Sequence, residues 1–504
     1  MNRLFHPMMF TRILTGILGT GARENYHAPD TGHVSFFIFH EPCGIVGEKP
    51  ATIGAKKIKW FNTNMIVMVR PQVPEGLCIR CKGARHLCGK NPCPILMKHS
   101  IMRSMKYSQV LQNLKLSTEL ASLSPPSFFV GHQGYPKVRI GPMIPHSLDI
   151  PIEARSLDSP ESWLKPGTPP ANWKDLESVV TFRSSLLRTT HVSHVSKHEE
   201  DKILEKGKLI AMAQDPVGTE VKVDAFKMRI QVNDHAPPAG PVGRLEKLII
   251  TENPHVNKTV DSVVSDTDLP AAQAVYRYLY EREQIPVTEI HRIFSAGLLG
   301  RKDSRRLVPT RWSITAVDDT ISKWLISRLK QYQELGEYRL HHSEYLGNKF
   351  HILLVPRAWM FEMMECWDAR SIWRTLDTVN QEYIIVQDHE LASGRKKYAS
   401  NVTGAYYAAR LGIAEHLMDI RRQATVIVIR EVNEKYLMPL GVWVIRQTVR
   451  DAMIRKPRVF SSLDEMLSAL EQGIDIPLDN WVRASRVLKE LREQKTLMDF
   501  LRTI

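Results

Sequence analysis

The sequence predicts an α+β fold, a mixed core with a small N-terminal four-cysteine zinc module and a helical C-terminal region. Three observations carry this. Period-two strand patterns and a hairpin signal lie among helical stretches, no internal repeat or regular βαβ alternation runs through the chain, and the last part is dominated by helical spacing. The boundaries read as 1–64, a non-native or disordered extension; 65–115, the cysteine module; 116–490, the α+β core; and 491–504, a tail. Met65 and Met68 are alternative starts just ahead of the cysteines, and residues 1–64 are expected to be an over-extended start or a dispensable arm. Arg12 interrupts the apolar centre of the first stretch, which argues against a secretory signal.

Each element follows from local pattern. Met65 to Arg70 is short and apolar and leads into the cysteines. Ser124-Pro125-Pro126 opens a Gly/Pro-rich stretch to Pro145, within which Tyr135, Lys137 and Arg139 alternate with Pro136, Val138 and Ile140. A period of two puts an aromatic ring and two cations on one strand face, suited to phosphate and base; the plainer alternative is the solvated face of an edge strand. Residues 151–175, rich in Pro, Ser and Trp, read as a long connection. Strands are expected near Val221–Val232 and Leu245–Ile250, and helices over Ala271–Arg282 and Asp319–Tyr332. Tyr338–Tyr345 and Phe350–Val355 flank Gly347-Asn348, a hairpin signal. A strand over Tyr383–Val386, a helix from Gly404 to Arg422 and a strand over Thr425–Glu431 come next. The end is helical over Trp443–Met453, Leu463–Gln472 and Asn480–Glu493.

Composition bounds the function. With 68 Lys and Arg against 54 Asp and Glu, the net charge is +14, which favours polyanionic partners, nucleic acid first and acidic membrane surfaces second. No apolar run is long enough to span a bilayer. Four of the six cysteines fall between Cys78 and Cys93, a clustering that points to metal in a reducing compartment and not to a disulfide scaffold.

Cys78, Cys81, Cys88 and Cys93 follow the spacing C-x2-C-x6-C-x4-C. Four thiolates fit a closed, structural zinc site, with an iron–sulfur cluster as the rival and His86 as a bystander. Gly83 and Gly89 permit tight turns there, and Arg80, Lys82, Arg85 and Lys90 lie nearby for nucleic acid. A second basic segment runs from Ser295 through Arg301, Lys302, Arg305 and Arg306 to Arg311 and Trp312. Its glycines let backbone N–H groups approach an anion that guanidiniums can clamp, but it lacks the Gly-Lys-Ser/Thr ending of a nucleotide-binding loop; a solvated basic turn is the plainer alternative. Lys137, Arg139, Arg301, Lys302, Arg305, Arg306 and Arg311 are therefore the candidates for DNA or phosphate.

Other titratable groups have plainer explanations. Asp318-Asp319 reads as an N-terminal cap for a helix beginning near Thr320. His191, His194 and His198 share a helical spacing and read as surface or packing histidines, while Glu362 and Glu365 read as the exposed acidic edge of a helix. No Ser/His/Asp or Cys/His triad can be assembled from the sequence. The tail is more specific. Gln494, Leu497, Phe500 and Leu501 fill the fixed slots of a sliding-clamp docking peptide, in which one tight turn brings the three apolar side chains to one side as a plug. The alternative is an amphipathic helix continuing from Val487, Leu488 and Leu491 onto the protein's own body.

Several segments together resemble the archaeal Nre family of DNA repair proteins. They are Cys78 to Gly83 with Leu87-Cys88-Gly89 and Cys93-Pro94, Phe129-Val130-Gly131 with Gly134 to Val138 and Gly141-Pro142, Gly300 to Asp319, and Arg422-Gln423-Ala424 with Pro439 to Trp443. The resemblance covers about Met65 to the C-terminus. It implies an archaeal, cytoplasmic, nucleoid-associated protein acting in DNA damage repair, with DNA and a sliding clamp of the proliferating cell nuclear antigen type as partners. It brings no reaction mechanism residue by residue. An enzyme acting on damaged DNA or a nucleotide adduct, its pocket built from 129–142 and 295–319, and a recruitment scaffold are the alternatives.

Overall fold

A computed structural model describes residues 77–81, 87–88, 93, 118–145, 158–196, 200–227, 240–368, 383–436 and 440–493. Twelve strands among them form two six-stranded sheets, and the predicted mixture of helices and strands is observed. The first sheet contains β1 (Glu119–Ser124), β2 (Phe128–Val130), β3 (Lys137–Pro145), β4 (Leu186–His194), β5 (Val217–Lys227) and β6 (Val242–Ile250), in the order β1-β5-β6-β4-β3-β2. The second contains β7 (Tyr338–Tyr345), β8 (Asn348–Val355), β9 (Met360–Trp367), β10 (Ile385–Glu390), β11 (Thr425–Val432) and β12 (Arg458–Phe460), in the order β10-β9-β11-β8-β7-β12. Each sheet is antiparallel apart from one parallel pair, β4 with β6 and β9 with β11.

The helices used below are α1 (Leu77–Cys81), α2 (Leu176–Ser184), α3 (Lys202–Met212), α4 (Lys258–Ser265), α5 (Val287–Ser295), α6 (Thr310–Leu329), α7 (Gly404–Asp419), α8 (Trp443–Ile454), α9 (Leu463–Glu471), α10 (Leu478–Ala484) and α11 (Arg486–Glu493). Among the described residues no helix is long and apolar enough to cross a membrane.

The second sheet is covered on both faces, which explains why β9 and β11 are buried at every position. Phe350, Ile352, Leu354, Phe361, Met363, Val426 and Val428 turn toward α6, α7 and α8, in a core that reaches Val138 and Ile140 of the first sheet through α5. The intervening residues Leu353, Met364, Ile427 and Ile429 turn the other way, onto Met466, Leu467 and Leu470 of α9, Trp481 of α10, and Val487 and Leu488 of α11. One face of the first sheet carries Ile144, Leu187, Val221, Val223, Leu245 and Leu248 packed against Ile210 of α3, while on the other only a small cluster of Met143 and Leu186 packs with Phe129 and Phe182. Gly207 lets α3 approach so closely, because a Cβ there would strike the ring of Phe128.

The predicted β7–β8 hairpin is present with its turn one residue earlier, at Leu346-Gly347. Both have positive φ (48° and 76°), and Asn348 already pairs with Tyr345. The expected helix over 271–282 is α-helical only at Ala271–Gln273 and π-helical from Ala274 to Arg282. The 151–175 connection holds two short helical turns, Pro160–Trp163 and Pro170–Asn172, while residues 151–157 lie outside the described residues.

Candidate nucleic-acid interface

The first sheet supplies the candidate surface. In β3 the residues alternate, Lys137 and Arg139 exposed and Val138 and Ile140 buried, as the period of two requires. Directly opposed residues share a face, so pairing sets His194 beside Lys137 and the 58% exposed Val192 beside Arg139. Following the same alternation, Arg188 and Thr190 of β4, Phe129 of β2 and Arg244 of β6 belong to this outer face. Arg244, exposed, pairs with Asp224 at 3.4 Å.

The second basic segment meets the first sheet at the β2–β3 turn and just past β4. The Val130 N–H donates to Thr310 Oγ1 at 3.0 Å, and the Leu307 N–H donates to the carbonyl of Val195, just past β4, at 2.9 Å. The Trp312 ring lies 5.5 Å from that of Tyr135, and Arg311 Nη1 lies 3.4 Å from His132 Nε2. Arg301, Lys302 and Arg306 are exposed. Arg305 is turned inward instead. Its guanidinium donates to the carbonyls of Gly300, Val264 and Asp266, each at 2.7 Å, and so staples the loop to the end of α4. Gly297, at φ 74°, packs against the Arg306 carbonyl with no room for a side chain. The sequence-predicted cations therefore divide into exposed ones along β3 and the loop, Arg305 bonded to backbone, and the half-buried Arg311 against His132.

Three expectations are corrected. Asp318 and Asp319 do not cap a helix. The helix starts at Thr310 behind Pro309, and both carboxylates lie in its interior, 0% and 3% exposed. Asp318 accepts from Arg446 Nη2 of α8 at 2.6 Å and contacts His291 Nε2 of α5 at 3.1 Å. Burial alone would raise this carboxyl, but Arg446 and His291 outweigh it and hold it below the ordinary range. Asp319 takes Arg410 of α7, which also donates to Glu390 of β10 at 2.7 Å, and Lys323 at 2.7 Å. Glu362 and Glu365 do not lie on a helix; both are fully buried in β9. Glu365 accepts from Arg430 at 2.5 Å. Glu362 accepts the backbone N–H groups of Arg486 at 2.7 Å and Val487 at 3.3 Å and the Ser485 hydroxyl, supplying the negative charge at the start of α11. His191 and His194 belong to strand β4, on opposite faces, and His198 lies outside the described residues.

Cys78 and Cys81 are buried on α1, and Cys88 and Cys93 are partly exposed. The Leu87 N–H donates to Cys81 Sγ at 3.4 Å. Among the described residues no three His, Cys, Asp or Glu side chains are grouped to hold a metal ion, so the fit to zinc rests on the donor chemistry and spacing of four thiols. Gln494, Leu497, Phe500 and Leu501 lie outside the described residues.

Sequence reasoning missed Arg188 and Arg244 as members of the outer face and overlooked Phe129 as its aromatic. The alternation Arg188-x-Thr190-x-Val192-x-His194 carried the signal, but the histidine spacing obscured it.

Fold and site together define a two-sheet α+β protein in which one sheet keeps a cationic outer face. The chain matches the models of the archaeal Nre N-terminal region over residues 87–374 and the archaeal Nre C-terminal region over 390–500, and it belongs to that family. Similar relatives include DNA repair protein NreA of Archaeoglobus fulgidus, 35% identical over 399 residues, covering 79% of this chain and 94% of the relative. DNA repair protein NreB of the same organism is 34% identical over 425 residues, 84% of this chain and 100% of the relative. DNA repair protein NreA of Haloferax volcanii is 36% identical over 332 residues, 65% and 76%. No solved structure matches.

Proposed function

We propose that this chain is a DNA damage repair protein that binds DNA along the outer face of its first sheet and docks on the replication sliding clamp through its C-terminal tail. The carrying observation is that the two basic segments, far apart in sequence, meet at the β2–β3 turn through Thr310 and Trp312, and that Lys137, Arg139, Arg301, Lys302 and Arg306 on these segments are exposed. Such a surface attracts phosphates through charge, so affinity falls steeply with salt. The repair role is supported by the names of the relatives. Clamp docking is supported by the spacing of Gln494, Leu497, Phe500 and Leu501, and it raises the local concentration of the protein on clamp-loaded DNA. The four cysteines are proposed to hold a structural zinc ion, supported by their spacing and by the N–H bonded to Cys81 Sγ. Metal analysis of the purified protein is expected to find zinc that is lost in Cys81→Ser, whereas iron with visible absorbance would assign a cluster instead.

The deciding experiment measures binding to duplex DNA, with and without loaded clamp, across a salt series. Lys137→Glu combined with Arg139→Glu and Arg306→Glu is expected to remove DNA binding and leave clamp binding intact, while Phe500→Ala does the reverse. DNA affinity unchanged by the triple substitution overturns the assigned surface; clamp affinity unchanged by Phe500→Ala overturns the tail. Clamp binding with no DNA affinity in the wild type favours a recruitment scaffold. The same mixtures, resolved for products, test the enzyme alternative, which the meeting of the 129–142 and 295–319 segments keeps in view.

A further inference from the structure

Arg188 stands apart from the other inward-turned arginines. Arg183, beside it, is paired with Asp158, which also takes the Ser127 hydroxyl. Arg410, Arg430, Arg446 and Arg450 each meet a carboxylate. Arg188 meets none. Its guanidinium carbon lies over the Phe129 ring, 4.0 Å from the ring centre, and its Nε is buried without a hydrogen-bond partner. Among the described residues its side chain makes no hydrogen bond or ion pair, while the residue as a whole remains partly exposed. Burial, then the neighbouring guanidiniums of Arg183 and Arg139, pull Arg188 down to about 10. Burial and the two neighbouring cations thus oppose its charge, and of the described groups around it only the Phe129 ring favours it, an arrangement that a bound anion would reverse.

We propose that Arg188, seated over Phe129 and backed by Arg139, forms a phosphate-binding site on the outer face of the first sheet. A planar guanidinium fork is matched to two phosphate oxygens, and Arg139 adds a second cation from the adjacent strand. The phosphate belongs either to a nucleic-acid strand or to a free phosphate compound. The site deepens the DNA reading of this face in the first case and stands without it in the second.

The test uses the full chain as wild type, Arg188→Met and Arg188→Lys, in phosphate-free buffer at low salt. Melting temperature is followed with added inorganic phosphate, and affinity for a short DNA duplex is measured in parallel. Wild type is expected to gain melting temperature with phosphate. Arg188→Met is expected to show no such gain, to melt no lower than wild type without phosphate, and to bind DNA about tenfold more weakly, as for loss of a charged hydrogen bond. Arg188→Lys keeps the charge without the planar fork and is expected to recover only part of both. A phosphate gain equal in wild type and Arg188→Met, or DNA affinity unchanged by Arg188→Met with no phosphate gain in wild type, overturns the site while leaving DNA binding elsewhere on the face untouched. A variant that melts lower yet keeps the full phosphate gain makes Arg188 a packing residue and overturns it as well. Phosphate stabilisation that needs Arg188, in a wild type that does not bind DNA, upholds the site for a free phosphate compound and defeats the DNA reading instead.

Discussion

Single charges in this protein do two opposite jobs, and their partners tell which. Arg410 is enclosed by Asp319, Glu390, Ser322 and the rings of Tyr406 and Tyr407, so it ties α6, α7 and β10 together. Arg410→Met leaves Glu390 buried without its cation and Asp319 with Lys323 alone, and is expected to lower unfolding free energy by about 3–5 kcal/mol in a denaturant titration. Arg139 is exposed, and Arg139→Ala is expected to leave stability unchanged while lowering the salt slope of duplex binding by about 0.9. The outward cations of β3 were legible in the sequence because alternation with Val138 and Ile140 marks a half-buried strand. The inward ones were not. Asp318 and Asp319 look like a cap because two acids at a helix start are ordinary, and only their partners, over a hundred positions away at Arg446 and about ninety at Arg410, reveal an interior role.

At the scale of elements, the hairpin and the C-terminal helices were legible because turn chemistry and helical spacing are local. The β9 strand was not. It is buried on both faces, so it shows no alternation, and Glu362 and Glu365, three apart, imitate a helix. What sets Glu362 is the start of α11, whose N–H groups it accepts. Glu362→Ala leaves those donors unsatisfied and is expected to cost about 1–3 kcal/mol locally, read as faster amide exchange confined to residues 486–493. Burial raises the Glu362 carboxyl above its ordinary value despite these bonds, so ionising it opposes folding. Its contribution to stability therefore declines as pH rises from the unfolded carboxyl value through the folded one, and Glu362→Gln is expected to flatten that part of the profile.

The described body is joined by a core that continues from the first sheet through α5 to the second, and this joining was not legible, because pairings such as β9 with β11 bring together segments with β10 and α7 between them. Its acid sensitivity follows from that packing. His341 and His351 are 2% and 4% exposed, and burial lowers them to about 4 and about 3. They stay neutral in the fold while the unfolded chain takes up protons near pH 6.5, so stability present above that value is lost as pH falls toward 4. At pH 5 each ring is expected to account for about 2 kcal/mol, and His351→Gln should reduce the fall in melting temperature between pH 7 and pH 5.

Glu362 also has a mechanical consequence. By fixing the first turn of α11 to β9, it ties to the second sheet this helix, described as far as Glu493. From there to Phe500 a fully extended chain reaches only about 25 Å. On the proposed docking, a clamp gripping Phe500 would then hold the body on a short leash, and a longer spacer inserted after Glu493 should slacken it without weakening the grip.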